Sequence, residues 1–363
     1  MVTDNETYVS DLKAAIEHTV GIDELNGKSI LVTGASGTIG SFIVDELIHY
    51  NKSGKGWITI FAAGRNVDKL RERFGEDISF VRYDMLSKDF KEFPEHVDYI
   101  IHAAGNAYPS AFIDRWKETV EGNILGTANI LEYGKRANIH RFLYVSSGEV
   151  YSVEQSIVDN IAEIHGKTFA ETSDDCSEFA SHYYNEILSI VEQQGPRSCY
   201  PVSKLATEEM SLESDLDCVV VRPCHTFGPG ITGSDDRAHV QFVKRAISGN
   251  PIVLNSPGLQ ERSYNYAADA SSGILTVLLT AKKGDVVDIC APGNVVTIKG
   301  LAELIGKAAG VPVTAKEADE RDLKLQSPIN KQILNPDKLV SLGWTKAFDL
   351  ETAVDHFVKI MQK

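Results

Sequence analysis

Ile30-Leu-Val-Thr-Gly34-Ala-Ser-Gly37-Thr-Ile-Gly40, followed by Ser41-Phe-Ile-Val-Asp-Glu-Leu-Ile48, runs an apolar stretch into a glycine-spaced turn and then into an amphipathic helical pattern. In that order the three glycines each have a physical task. One makes the tight turn, one lets the backbone approach a pyrophosphate, and one lets helix and strand pack closely. The helix N-terminus adds free N–H groups and a partial positive charge where phosphates would lie. The stretch therefore predicts a dinucleotide site, with Gly34, Ser36, Gly37, Thr38, Ile39 and Gly40 as its phosphate-side contacts.

Working outward, short β-branched runs alternate with longer amphipathic stretches from Lys28 to about Arg222. That is the pattern of a doubly wound parallel sheet (α/β, Rossmann) with crossover helices on both faces. The predicted strands are Ser29–Thr33, Trp57–Ala62, Ile78–Arg82, Tyr99–His102, Phe142–Ser146 and Cys218–Arg222. Residues 1–27 read as a helical extension, 28–224 as the dinucleotide-binding domain, and 225–363 as a smaller substrate-binding lobe that returns to the main sheet near Val286–Ile289. Between Tyr151 and Gly195 lies an acidic insertion with Lys167 as its one Lys or Arg. Loops this long usually carry helices of their own or a function. A solvated helical insertion is expected there, with a lid or dimer contact through Phe179-Ala-Ser-His-Tyr-Tyr184 as the alternative.

The chain has 363 residues and a formal net charge of -15, which argues against nucleic acid as a partner. The acidic start lacks the basic-then-apolar order of an export signal, and no apolar run is long enough for a membrane span. Five cysteines without a C-x-x-C pair fit a reducing cytoplasm better than a disulfide framework or a metal site, and none is expected to hold metal.

The end of the second strand bears on the cofactor. A carboxylate there would hold a ribose hydroxyl, whereas an Arg accommodates a 2′-phosphate. The chain reads Phe61-Ala-Ala-Gly64-Arg65-Asn66, so Arg65 and Asn66 tilt an NAD+ or NADP+ site toward NADP+. Asp84, with Met85 beside it after the third strand, is an adenine-side candidate; Asp84 can equally cap a turn.

Tyr200-Pro-Val-Ser-Lys204 places a phenol and an ammonium four residues apart, on one face of a helix. A phenol titrates near pH 10, too high for a base at neutral pH. A neighbouring Lys cation and an oxidised nicotinamide ring would both favour the phenolate. Ser147, in Val145-Ser-Ser-Gly-Glu-Val-Tyr151, could hydrogen-bond the same substrate oxygen.

With these pieces in register, the chain resembles the extended short-chain dehydrogenases of the epimerase/dehydratase branch over nearly its full length. The resemblance rests on Gly34–Gly40, His102-Ala-Ala-Gly105, Gly122-Asn-Ile-Leu-Gly-Thr127, Ser146–Tyr151, Tyr200–Lys204, Arg222-Pro-Cys-His-Thr-Phe-Gly-Pro-Gly230 and Gln260-Glu-Arg-Ser-Tyr-Asn-Tyr-Ala-Ala-Asp269. It implies that Ala103, Ala104 and Pro223 line the cofactor and that Asn123 supports the proton network. It further implies that Arg262 grips the diphosphate of a nucleoside-diphosphate sugar, with Asn106, Gly148 and His225 as further substrate contacts, and that the protein is a homodimer through two long helices.

Ser147, Glu149, Tyr200 and Lys204 are then the catalytic set. Ser147-Gly148-Glu149 resembles the Thr-Ser-Glu of UDP-glucuronate decarboxylases more than the Thr-Asp-Glu of 4,6-dehydratases, and Gly195-Pro-Arg-Ser-Cys-Tyr200 also looks decarboxylase-like. Two departures are Gly148, where decarboxylases carry Ser, and Pro201-Val-Ser203 between Tyr and Lys. All the options share transient oxidation at the sugar C4: decarboxylation, dehydration with Glu149 as base, or epimerisation. A non-catalytic dinucleotide-binding sensor or scaffold is the reading from another class.

Overall fold

Ile30, Leu31 and Val32 are fully buried, as a continuous apolar run must be when helices cover both faces of a parallel sheet. The computed structural model describes residues 2–172, 176–230, 233, 235–316 and 329–362. Its strands are β1 (Ser29–Thr33), β2 (Thr59–Gly64), β3 (Ser79–Arg82), β4 (Tyr99–His102), β5 (Arg141–Val145), β6 (Cys218–Pro223) and β7 (His225–Phe227). They continue with β8 (Ile252–Leu254), β9 (Glu261–Tyr266), β10 (Val286–Ile289), β11 (Val295–Thr297), β12 (Val313–Ala315) and β13 (Lys331–Gln332).

Seven of these form the main sheet in the order β10-β6-β5-β4-β1-β2-β3, every neighbouring pair parallel. This is the doubly wound sheet the alternation predicts. The strand order reverses between β1 and β4, so their carboxyl ends open a crevice at the switch point. Strand β2 begins two residues later than expected, because Trp57 is 66% exposed and pairing with β1 starts at Thr59.

The helices that matter for the site are α1 (Glu6–His18), α2 (Thr38–Lys52), α3 (Val67–Phe74), α4 (Pro109–Asp114), α5 (Trp116–Arg136) and α6 (Gln155–Thr172). After these come α7 (Cys176–Gln194), α8 (Cys199–Leu212), α9 (Ala238–Ile247), α10 (Ala267–Thr280) and α11 (Ile298–Ala309). Helix α10 is buried nearly end to end and threads between the two halves of the molecule. Its small residues allow that depth, and Ser271 donates to the carboxylate of the fully buried Glu46 at 2.5 Å.

The smaller lobe contains a four-stranded sheet of β7, β9, β11 and β13, a parallel β8–β12 pair, and α9 and α11. Helix α1 bridges the halves: Tyr8 donates to Asp45 on α2 at 2.6 Å, and Asp11 accepts from Tyr266 at the end of β9 at 2.6 Å. The acidic insertion is helical. Helices α6 and α7 pack on α5 and α8, and among the described residues none from 150 to 196 lines the main cleft, which does not favour a lid over it.

Candidate active site

The cleft at the switch point has a volume of about 1280 Å³ and runs from the α2 N-terminus to the lobe strands. Its cofactor end shows why the glycines are required. Gly34 has φ +69°, a left-handed conformation that favours glycine, and a Cβ there would lie 2.5 Å from the Ala103 carbonyl oxygen. A Cβ on Gly40 would lie 2.4 Å from the Gly34 carbonyl oxygen. The turn thus brings β1, β4 and α2 to backbone contact, and Gly37 precedes α2 with no side chain capping the helix. Free N–H groups at a cleft-lining helix start are what a pyrophosphate needs, so the residues fit a bound dinucleotide.

Ser36, Gly37, Thr38, Ile39, Gly40, Arg65, Asp84, Met85, Ala103, Ala104 and Pro223 all line this cleft. Asn66 does not; its side-chain oxygen accepts from Lys69 N–H at 3.0 Å and caps α3. Lys69 does line the cleft, a cation beside Arg65 that the sequence reading passed over. Among the described residues no group of side chains could hold a metal ion.

At the opposite end Tyr200 and Lys204 share a face of α8, as their spacing requires. Tyr200 is 7% exposed and stacks on Phe112 of α4, ring centroids 4.6 Å apart. Burial first, and then the Glu149 carboxylate, push the Tyr200 phenol up to about 12, while a hydrogen bond with Ser147 and the Arg237 and Arg197 cations oppose the rise. Burial pulls Lys204 down to about 7, with Glu208 opposing. The Lys204 ammonium donates to the Val145 carbonyl at 2.9 Å and sits 5.9 Å from the centre of the Tyr200 ring. The polypeptide by itself therefore holds Tyr200 as a neutral phenol at pH 7. Desolvation acts on both groups, so any lowering of the phenol rests on the Lys204 cation together with the charge of an oxidised nicotinamide.

Asn123 on α5 stands behind this pair. Its amide donates to Ser203 Oγ at 2.8 Å, and a Cβ on Gly105 would come within 3.4 Å of Asn123 Oδ1 and 3.7 Å of Lys204 Nζ. Ser147 Oγ accepts from the Glu149 N–H at 3.1 Å, which fixes the turn after β5. Glu149 in turn accepts from Arg197 Nη2 at 3.0 Å, and the Arg197 guanidinium lies 4.8 Å from the Phe112 ring centre. Arg197 Nε is buried without a partner and belongs to the cleft wall. Arg197 lies within Gly195-Pro-Arg-Ser-Cys-Tyr200, where nothing in the sequence assigns it a role.

The lobe supplies the far wall. Arg262 is 2% exposed and donates to the Glu261 carbonyl at 2.9 Å and the Ile329 carbonyl at 2.5 Å. Arg237, absent from the sequence-derived candidates, is held by Asp235 through Nη2 at 2.5 Å. His225 sits among Arg262, Arg237 and Arg197; burial and these cations bring it down to about 3, so it is neutral. Asn106 and Gly148 complete the wall, and the Gly148 carbonyl accepts from Gln332 at 2.7 Å. Three guanidinium groups around one neutral imidazole make this end suited to an anionic ligand.

A doubly wound sheet, a glycine turn against α2, and a Tyr200/Lys204 helix facing the same crevice together define a dinucleotide-dependent oxidoreductase-type centre. A sequence model of the NAD dependent epimerase/dehydratase family matches residues 30–290, and the chain belongs to that family. It is thus an enzyme of the extended short-chain dehydrogenase kind, in the branch that epimerises, dehydrates or decarboxylates nucleotide sugars.

Among its relatives, UDP-glucuronic acid decarboxylase 6 of Arabidopsis thaliana is 28% identical over 281 residues, covering 76% of this chain and 73% of the relative. UDP-glucuronic acid decarboxylase 1 of Xenopus tropicalis is 24% identical over 352 residues, covering 94% and 74%. In fold, the chain is similar to the UDP-glucuronic acid 4-epimerase of Bacillus cereus, solved with UDP-glucuronic acid and NAD, with a TM-score of 0.69 and 20% identity over 92% of this chain and 99% of that one. It is similar also to a dTDP-glucose 4,6-dehydratase of Streptomyces venezuelae, with a TM-score of 0.70 and 20% identity over 92% and 96%. Among the described residues no helix is long and apolar enough to cross a membrane.

Proposed function

We propose that the chain oxidises C4 of a nucleoside-diphosphate sugar, carries out decarboxylase-like chemistry on the resulting ketone, and reduces it again within one turnover. The observation that carries this reading is the convergence of Ser147, Glu149, Tyr200 and Lys204 at one end of a cleft whose other end is a dinucleotide cradle. When bound, an oxidised nicotinamide supplies the hydride acceptor and a positive charge beside the phenol.

The residues of the chain do the rest. Tyr200 takes the C4 hydroxyl proton as the C4 hydrogen leaves with its bonding electrons, and Ser147, hydrogen-bonded to Tyr200, orients that hydroxyl. The C4 ketone makes a sugar carboxylate at C5 a β-keto acid, so the C5–carboxyl bond breaks with release of carbon dioxide and its electrons pass into an enolate, which takes a proton from water at C5. The hydride then returns to C4 as Tyr200 gives its proton back to the oxygen. Arg262, Arg237 and His225 line the wall where a diphosphate would be held, and Arg197 stands by the reacting ring with an unused N–H. Position 148 is Gly, so no acidic side chain there can protonate a leaving hydroxyl, which disfavours 4,6-dehydration.

Epimerisation at C4 is the second reading. It is favoured by Gly148, beside which Leu334 fills the space of a larger side chain: a Cβ would lie 2.8 Å from Leu334 Cδ2. For the cofactor, Arg65 and Lys69 lining the cleft past β2 support NADP+ over NAD+. The test is incubation with UDP-glucuronate, UDP-glucose, UDP-N-acetylglucosamine or GDP-mannose, each with either dinucleotide, and product analysis by mass and retention time. Loss of carbon dioxide from UDP-glucuronate supports the first reading, and an isobaric new sugar the second. No turnover of any, with dinucleotide binding unchanged in Tyr200→Phe, would favour a sensor.

A further inference from the structure

Helix α7 presents Phe179, Ala180, Tyr183, Ile187, Ile190 and Val191 as a buried stripe at helical spacing, with Tyr183, Ile187 and Val191 fully buried. The stripe lies on α5 and α8, not on the cleft. Tyr183 donates to the Ala206 carbonyl of α8 at 3.1 Å, and Glu192 pairs with Lys117 of α5 at 3.3 Å. Helix α6 closes the other side with Ile161, His165, Thr168 and Thr172, spaced four, three and four residues apart, and packs on α7 and α8. The seam between α6 and α7 is aromatic: His165 meets Phe179 at 5.2 Å and Tyr183 at 5.5 Å between ring centres. Burial lowers His165, keeping it neutral there.

The four helices therefore form a bundle within one chain. A second copy pairing its own long helices with α5 and α8 would need the surface that α6 and α7 already occupy. The outer face of the hairpin is unsuited to self-association as well. It exposes Glu154, Asp159, Glu163, Glu171 and Glu186 around a single exposed Phe169, with Lys167 as its one Lys or Arg among the described residues. Like charges on two such faces repel.

We propose that the α6–α7 hairpin is an internal replacement for a second subunit: it covers the α5–α8 face in cis, so the protein does not dimerise there. The placement matters for chemistry, because Asn123 is carried by α5 and Tyr200 and Lys204 by α8. The hairpin leaves the chain just after Ser147–Glu149 and rejoins it just before Arg197, so it clamps the helices that carry the reactive groups without touching substrate.

The test begins with the full chain, measured by light scattering across a dilution series together with deuterium uptake. The proposal expects the mass of one chain, or a larger species whose dissociation leaves uptake in residues 116–136 and 155–212 unchanged. A dimer whose dilution raises uptake in those segments overturns it. A Tyr183→Ala/Ile187→Ala variant adds a second arm. Uptake should rise in 155–194 and 116–136 together, with a concentration-dependent gain in mass as the α5–α8 face is uncovered. Loosening confined to 155–194, with 116–136 still protected, would show that the hairpin does not cover that face and would also overturn the proposal. If the variant does not fold, the full-chain arm decides alone.

Discussion

Arg197 Nη2 lies 3.0 Å from the Glu149 carboxylate, and this ion pair joins the start of α8 to the turn after β5. Both side chains are about one-fifth exposed, so water screens the pair only partly. The partners occupy the two banks of the insertion. Glu149→Gln should lower kcat by about 10²–10⁴-fold if the carboxylate acts on a proton, with dinucleotide affinity unchanged. Steady-state kinetics with dinucleotide titration checks this, and a kcat within a few-fold of wild type would remove Glu149 from the catalytic set. Arg197→Lys should act mainly on KM, since Lys cannot reproduce a planar guanidinium lying over Phe112.

Tyr200→Phe removes one oxygen and keeps the stacking on Phe112. Turnover should fall by at least about 10³-fold while the dissociation constant for dinucleotide, followed by fluorescence, changes by less than about three-fold. Loss of both together would mean the residue holds the cofactor instead of moving a proton.

Gly148→Ser asks whether this turn accepts the residue found in decarboxylases. The added Cβ would meet Leu334 Cδ2 at 2.8 Å and Cδ1 at 2.9 Å, an overpacking that costs about 1–3 kcal/mol. The single variant should melt earlier, and Leu334→Ala combined with it should recover most of the loss. Calorimetry of the four proteins in the cycle measures the coupling, and additive effects would show that Leu334 yields freely.

Arg65→Ala should weaken NADP+ binding by roughly ten-fold or more and leave NAD+ nearly unchanged, because only the 2′-phosphate needs the cation. Equal losses for both dinucleotides would assign Arg65 to the general electrostatics of the cleft.

Burial raises Glu46 from 4.5 to about 7, with hydrogen bonds from Ser271 and Thr19 opposing. For a carboxyl raised on folding, the native state holds its proton longer than the unfolded one. Stability therefore falls as pH rises from about 4.5 to about 7 and is flat above. The shift corresponds to a contribution on the order of 3 kcal/mol. Glu46→Gln should remove this slope, so that the variant gains on wild type between pH 5 and 8 in denaturant titrations. A parallel pair of curves would rule the group out.

The glycine turn, the seven-stranded sheet and the Tyr200/Lys204 face were legible because short-range spacing encodes them: strand, turn and helix are contiguous in the chain. Strand β10 was legible too, as a lone apolar run. Asn66, quoted beside Arg65 as a cofactor candidate, is placed by the structure at the cap of α3 and not among the residues that line the cleft. Arg237 and Lys69 were passed over because what brings them to the cleft wall is the fold, not their neighbours in sequence. The insertion could be read as helical, but its partner surface could not: the stripe on α7 is equally apolar whichever helices it meets. The buried state of Tyr200 and Lys204 was similarly hidden, and with it the direction in which each group titrates.

The bridge made by α1 has a practical corollary for trimming the protein. A chain begun at Lys28 would keep every strand of the main sheet, yet it would lose Asp11, which binds Tyr266 at 2.6 Å and His356 at 2.7 Å, and Tyr8, which shares Asp45 with Arg73. Arg73 lines the cofactor end of the cleft and His356 belongs to the last helix, so the first turns of polypeptide act as a rivet through both. Cutting at the motif that defines the fold would therefore leave the buried Tyr266 phenol and the half-buried His356 imidazole without their shared carboxylate, and the severed protein should be less stable than the full chain.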